Sequence, residues 1–112
     1  MHSFRYVGKE LSCEGVTIAS LVKKHGTPLY VYSQATLEDH FGKLHAALAP
    51  LDHLICYAMK ANSNQAVMRV LANAGGGFDT VSDGELRRVI AAGGDRDAAL
   101  AAARAALEAG RI

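Results

Sequence analysis

The sequence predicts an α/β protein that forms part of a (β/α)₈ barrel, with a β hairpin before it and an alanine-rich helix after it. Three short apolar runs of β-forming residues, 29–32, 54–58 and 78–81, each precede a stretch with helical periodicity. Their first residues are 25 (29 to 54) and 24 (54 to 78) positions apart. Strands and helices that alternate at this spacing form βαβ units around a parallel sheet. About three such units make up well under half of a complete barrel.

The first predicted element is the hairpin. Two β-prone segments, Phe4–Val7 and Leu11–Cys13, flank Gly8, which suits a tight turn. A helix is then predicted to begin near Thr17 and to end at Gly26. This helix leads into the first apolar run.

Capping residues follow the first two apolar runs. Ser33 is the predicted N-cap of a helix that extends through Ala49 and is ended by Pro50. Residues 62–64 (Asn-Ser-Asn) precede the helix that follows the second apolar run, which ends at the glycines 75–77. The alternation of strand and helix is therefore supported by local signals as well as by spacing.

The helix after the third apolar run begins at Ser82, and Ser82 and Glu85 together form a capping box. A fourth strand is due next, but residues 96–112 are so rich in alanine that they predict a helix without a strand. The predicted organisation is a hairpin over 1–14, a partial barrel over 15–95 and an atypical helical tail over 96–112.

Composition excludes several classes of function. The 112 residues carry 12 basic and 11 acidic side chains, and no basic stretch alternates with aromatics, which argues against a nucleic-acid partner. No segment has the apolar length of a signal peptide or a membrane span, so we expect a cytoplasmic protein. Cys13 and Cys56 lack a CxxC spacing and the five histidines lack ligand spacing. We therefore expect two buried, reduced thiols and no metal site.

Lys60 is the first candidate for chemistry. It directly follows the apolar run LICYAM and precedes the capping residues of the next helix. Functional groups of α/β folds gather at the carboxyl ends of the strands. A loop lysine is ordinarily a solvated charge. At the mouth of a barrel, however, partial loss of water would favour the neutral, nucleophilic amine.

Other candidates have structural alternatives. The glycines 75–77 resemble a phosphate cradle, but they follow a helix and precede a strand, which favours a helix C-cap. Asp79 lies within the third apolar run, where it either contacts Lys60 or sits where the strand meets solvent. Ser82 and Glu85 have a sufficient reason in the capping box, with a catalytic role for Glu85 as the alternative.

Three segments carry a family resemblance. They are GVTIASLVKKHGTPLYVYS (15–33), ICYAMKANSN (55–64) and GGGFDTVSDGELRRVIAAGGD (75–95). Together, at this separation, they closely resemble the amino-terminal part of diaminopimelate decarboxylase, an alanine-racemase-like family that uses pyridoxal 5'-phosphate. The resemblance covers about residues 3–95.

The resemblance implies a (β/α)₈ barrel with the cofactor at its mouth, a β domain to which the hairpin contributes, and a homodimer. Lys60 matches the lysine that holds the cofactor covalently, and Asp79 matches an acid of the surroundings of cofactor and lysine. Glu85 matches a position near the lysine in related decarboxylases. The implied reaction removes the carboxylate at the D-configured centre of meso-diaminopimelate to give L-lysine and carbon dioxide, with the protonated pyridine ring as electron sink.

The sequence departs from the family pattern after residue 95. The family's ring-stacking histidine, glycine-rich phosphate loop, pyridine-binding acid and substrate-binding residues have no counterpart in it, so we expect the chain alone to be inactive. Two alternatives remain open. One is a non-catalytic βα fragment, truncated, decayed or engineered, that associates through an uncovered sheet edge. The other is a related decarboxylase acting on arginine, ornithine or carboxynorspermidine.

Overall fold

The computed structural model describes residues 2–95, Asp97 and Glu108. Nine elements follow one another within that part of the chain: β1 (Phe4–Val7), β2 (Glu10–Cys13), β3 (Val16–Thr17), α1 (Ile18–His25), α2 (Gln34–Leu48), β4 (Cys56–Ala58), α3 (Gln65–Asn73), β5 (Gly77–Asp79) and α4 (Asp83–Ala91). No helix in this part is both long and apolar enough to cross a membrane. The predicted α/β class is confirmed.

The N-terminal hairpin forms as predicted and gains a third strand. β1 and β2 pair antiparallel, with Val7 opposite Glu10, and Gly8 adopts φ +64° in the turn between them. The two-residue strand β3 pairs with β2 and leads directly into α1, which Thr17 caps. Sequence reasoning missed β3 because two residues are too few to show a periodicity.

A parallel pair of strands forms the second sheet. β4 and β5 are joined through α3, so residues 56–79 make one βαβ unit. In the register of the pair, Tyr57 lies opposite Phe78 and Ala58 lies opposite Asp79. This unit is the part of the predicted barrel wall that the structure describes most directly.

Helices cover one face of this sheet. The buried core contains Phe78 and Met59 from the sheet side and residues of α3 and α4 on the other; its members are Met59, Val67, Met68, Leu71, Phe78, Val89 and Ala92. Leu37 and Phe41 of α2 pack against its margin. On the uncovered side, Leu54 and Val81 are each 51% exposed. The sheet therefore has one packed and one open face.

The glycines 75–77 end a helix, as expected. Gly75 adopts φ +87°, which the left-handed turn after α3 requires, and the Gly76 N–H donates to the Leu71 carbonyl at 3.0 Å. Gly77 then starts β5. The phosphate-cradle alternative lacks the strand-to-helix geometry it needs.

Two predictions about strands are wrong. Residues 29–32 form no strand: they lie between α1 and α2, and Tyr30 is 84% exposed. β-propensity made the run look like a strand, but a strand exists only where a neighbour supplies a ladder of hydrogen bonds. The described residues therefore contain two βα units instead of three, and their strands, 56–58 and 77–79, are shorter than predicted. Of the predicted helical tail 96–112, all but Asp97 and Glu108, both helical, lies outside the described residues.

Candidate functional site

Lys60 lies in a tight turn at the carboxyl end of β4. The Ala61 N–H donates to the Ala58 carbonyl at 3.0 Å, which closes the turn around Met59 and Lys60. Met59 is only 1% exposed and anchors the turn in the core, whereas Lys60 is exposed. The partial burial expected of Lys60 is not seen, since its side chain is exposed among the described residues.

The segment after Lys60 is fixed by a relay of hydrogen bonds. The Tyr57 hydroxyl donates to the Asn62 carbonyl at 3.1 Å, and the Asn62 side-chain oxygen accepts the Asn64 N–H at 2.9 Å. The Asn64 side chain in turn caps α3 by accepting the Ala66 N–H at 2.8 Å. The turn is therefore held between the strand before it and the helix after it.

Asp79 ends β5 on the open face of the sheet. Side chains alternate along a strand, so Asp79 shares its face with Gly77 and, across the ladder, with Cys56 and Ala58. Partial burial and then the nearby charge of Asp79 raise the pKa of the Cys56 thiol. This effect is consistent with Asp79 and Cys56 facing the same side.

Asp79 is exposed and does not pair with Lys60. Among the described residues the ion pairs are Lys43–Asp39 and Arg87–Asp83, each within one helix. Of the two alternatives for Asp79, the structure matches the one in which the strand meets solvent. It brings Lys60 and Asp79 to the same end of one sheet, on adjacent strands, without direct contact.

Glu85 is engaged at the start of α4. Its Oε2 accepts the Val81 N–H at 2.7 Å, while the Ser82 hydroxyl accepts the Glu85 N–H at 3.3 Å. The predicted capping box is present in a variant form, since the carboxylate reaches the residue before the N-cap instead of the N-cap itself. The carboxylate thus has a structural role at the start of α4, with Val81 as its partner.

The two cysteines differ. Cys13 is 6% exposed, as predicted, whereas Cys56 is exposed because it lies on the open face of the sheet. The expectation of two buried thiols is therefore wrong for Cys56. Both are free thiols.

Sequence reasoning missed the contact between His45 and His53. The Nε2 of His53 lies 3.0 Å from the Nδ1 of His45, and the His53 Nδ1 lies 2.9 Å from the Leu51 carbonyl. The two histidines are eight positions apart and belong to α2 and the following loop, a separation without a recognisable spacing. Within the described ranges, no group of three or more His, Cys, Asp or Glu side chains is arranged to hold a metal ion.

An open cavity of about 670 Å³ lies away from Lys60. It is bounded by the hairpin and the start of α2, and it is lined by His2, Ser3, Phe4, Arg5, Glu14 and Ala35. None of its lining residues belongs to the sequence motifs that carry the family resemblance most specifically. We therefore base the candidate site on the end of the parallel sheet and not on this cavity.

A comparison with known families matches the part of the chain that contains this site. A family model described as the pyridoxal binding domain of pyridoxal-dependent decarboxylases matches residues 34–106. This match includes Lys60, Asp79 and Glu85, and it begins at the first residue of α2.

Curated relatives extend the match toward the hairpin. The chain is 50% identical over 97 residues to a diaminopimelate decarboxylase of Pseudomonas fluorescens, covering 87% of this chain and 23% of that protein. It is 56% identical over 86 residues to a diaminopimelate decarboxylase of Vibrio cholerae, covering 77% of this chain and 21% of that protein. The chain thus spans less than a quarter of the length of these relatives.

Solved structures of other proteins have a similar fold over most of this chain. A protein of Aquifex aeolicus superposes with a TM-score of 0.77 at 41% identity, over 82% of this chain and 23% of that one. A diaminopimelate decarboxylase from M. jannaschii superposes with a TM-score of 0.76 at 30% identity, over 81% of this chain and 22% of that one. A further structure of the M. jannaschii protein is a complex with L-lysine.

Proposed function

We propose, given that this chain belongs to the pyridoxal-dependent decarboxylase family, that it is the amino-terminal, cofactor-binding part of a diaminopimelate decarboxylase. The cofactor of the family is pyridoxal 5'-phosphate. The proposed reaction removes the carboxylate at the D-configured centre of meso-diaminopimelate and yields L-lysine and carbon dioxide. The names of the relatives and the lysine complex of the M. jannaschii protein support this substrate class.

The observation that carries the proposal is the position of Lys60. A primary amine stands exposed at the carboxyl end of a parallel strand, on a turn that Met59 anchors in the core. This arrangement would suit a lysine whose amine condenses with the aldehyde of pyridoxal phosphate with loss of water, because the amine is accessible while its backbone is fixed. When bound, pyridoxal phosphate supplies an electron sink for the electron pair that remains after carbon dioxide leaves.

We assign supporting roles to two carboxylates. Asp79 lies on the strand next to that of Lys60, and its negative charge on the open face favours a protonated group brought there. Glu85 holds the first turn of α4 through the Val81 N–H and so fixes the segment that follows β5. Both roles are supported by positions near the end of the sheet that carries Lys60.

The proposal extends to the setting of the enzyme. Partial barrel architecture is supported by the βαβ unit of residues 56–79, and a homodimer is supported by the family resemblance. A cytoplasmic location is consistent with two free thiols, since disulfides are rare in reducing compartments. We also propose that residues 1–112 alone do not turn over substrate, because they span less than a quarter of the relatives' length.

Mapping the reactive lysine tests the proposal. The purified chain is incubated with pyridoxal phosphate and reduced with borohydride, and the pyridoxyl group is located by mass spectrometry. We expect the label to be concentrated on Lys60 and to be lost from that position in Lys60→Arg, which keeps the positive charge. Lys43→Arg on α2 is the matched control and should leave the labelling of Lys60 unchanged.

An even distribution of the label would contradict the proposal. If the label spreads evenly over the five lysines (Lys9, Lys23, Lys24, Lys43 and Lys60) and Lys60→Arg changes only its own share, Lys60 has no special reactivity. The proposed cofactor site would then be lost. The non-catalytic alternative, which the open sheet face with Leu54 and Val81 favours, would take its place.

A further inference from the structure

We propose that Tyr57 is a positioning residue for Lys60: its phenol, on the helix-covered side of β4, holds the turn that presents the amine at the open end of the sheet. The inference rests on the proposed function and adds to it a residue without direct contact with the reacting atoms. Tyr57 precedes Lys60 by three positions and is half-buried.

Two hydrogen bonds enclose Lys60. The first joins the Ala61 N–H to the Ala58 carbonyl at 3.0 Å, and the second joins the Tyr57 hydroxyl to the Asn62 carbonyl at 3.1 Å. The first is an ordinary turn bond between near neighbours. The second connects the strand before the turn to the residue after it, so it limits how far the whole turn can swing. Without it, one backbone bond and the buried side chain of Met59 would remain to orient the turn.

The ring and the hydroxyl of Tyr57 do different things. The ring packs edge-on against Phe78, with centroids 6.2 Å apart and an interplanar angle of 85°, and so belongs to the margin of the core. That packing accounts for an aromatic residue but not for its hydroxyl. The Tyr57 phenol is a donor at neutral pH because the ordinary pKa of tyrosine, 10.0, lies well above it, and burial raises the pKa further. A substitution of Tyr57 by phenylalanine therefore removes the hydroxyl while it keeps the ring that packs against Phe78.

The next connection along the chain is independent of Tyr57. Asn62 meets Tyr57 through its backbone carbonyl, whereas its side chain accepts the Asn64 N–H. Asn64→Ala would remove the cap of α3 and leave the bond from Tyr57 available. Loss of the phenol and loss of the helix cap can therefore be distinguished.

The test compares Tyr57→Phe with two controls in the intact chain. Tyr30→Phe removes a hydroxyl from a residue that is 84% exposed, and Val89→Ala weakens the shared core without removing a hydrogen bond of the turn. Two readouts are measured: amide hydrogen exchange over all elements, with residues 58–64 compared with α4, and the ratio of pyridoxyl label on Lys60 to that on Lys43. The ratio is an internal one, so it does not depend on the amount of folded protein recovered.

We expect Tyr57→Phe to speed exchange of the Ala61 N–H and to lower the label ratio by about threefold to tenfold, the effect of one lost hydrogen bond. Exchange within α4 should stay unchanged. Tyr30→Phe should match the native chain in both readouts, and Val89→Ala should speed exchange broadly without a selective fall in the label ratio.

Three results would overturn the inference. They are unchanged exchange in Tyr57→Phe, faster exchange spread evenly over all elements, and a native label ratio in the variant. A native chain that shows no preference for Lys60 contradicts the proposed function instead. In that case the exchange of the turn in Tyr57→Phe decides the role of Tyr57 by itself.

Discussion

Glu14 shows how one side chain connects the hairpin to the rest of the chain. Its Oε1 accepts the Ser33 hydroxyl at 2.7 Å and the Ala35 N–H at 2.9 Å, at the start of α2. A carboxylate at a helix N-terminus is favoured by the unpaired N–H groups there. The hydrogen bonds from Ser33 and then Ala35 lower the pKa of Glu14 from its ordinary value of 4.5.

This lowered pKa predicts a pH dependence of stability. The charged form of Glu14 is favoured in the folded state, so its contribution is complete above pH 4.5 and is lost as pH falls through the lowered folded-state pKa. We expect Glu14→Gln to unfold at a lower urea concentration than the native chain at pH 7. The difference should shrink as pH falls below 4 in the same titration.

The control for this experiment is Glu10→Gln. Glu10 is an exposed carboxylate at the start of β2 on the same hairpin. It should change the unfolding midpoint little at either pH. An equal fall for both variants, or a difference for Glu14→Gln that persists at low pH, would contradict the assignment.

At the scale of elements, helices were predictable and strands less so. Ser33 and Ser82 cap α2 and α4 as predicted, because a cap depends on residues three or four positions away. The run 29–32 consists of β-forming residues, yet it forms no strand. Strand pairing depends on a distant neighbour, which the local sequence does not reveal. The same limit applies to the site: the sequence placed Lys60 at a strand end, but not the phenol of Tyr57 over Asn62.

Alanine substitutions at two glycines are expected to change the stability of the chain in opposite directions. Gly42 lies inside α2 with open space where a side chain would begin, so Gly42→Ala should stabilise the chain by about 0.5–1 kcal/mol. Gly94 follows α4, and a Cβ there would lie 2.5 Å from the Val89 Cγ1 and 3.1 Å from the Val89 carbonyl oxygen. Gly94→Ala should therefore destabilise by about 1–3 kcal/mol.

Equilibrium urea unfolding measures both effects. The two substitutions are chemically identical, so each is the control for the other. A loss of stability in Gly42→Ala would show that α2 makes a close contact at this position. A neutral Gly94→Ala would show that the segment after α4 adjusts freely.

At the scale of the whole molecule, the described residues cover the sheet on one side only. Leu54 and Val81 are each 51% exposed on the open side, where Cys56 and Asp79 also lie. Barrel interiors are normally filled by side chains from several strands. The described residues supply two parallel strands, which is too few to enclose a substrate.

This geometry predicts the outcome of an activity assay. We expect the 112-residue chain to form no detectable L-lysine from meso-diaminopimelate in the presence of pyridoxal phosphate, because the part of the chain that the structure describes leaves Lys60 exposed. Arginine and ornithine should likewise release no carbon dioxide when they are incubated with the chain and pyridoxal phosphate. Turnover of any of the three would contradict the proposed inactivity, and the reacting substrate would identify the type of decarboxylase.

The hydrogen bonds of the Lys60 turn and the pairing of β4 with β5 lie between residues 56 and 79. Segments with such short sequence separations form early, because little loop-closure entropy opposes them. During translation, these hydrogen bonds could therefore form soon after β5 leaves the ribosome, before α4 completes the core around Met59. A nascent chain of this family would carry the amine of Lys60, which we propose bonds the cofactor, on a turn already held by hydrogen bonds before the later strands of a barrel were synthesised.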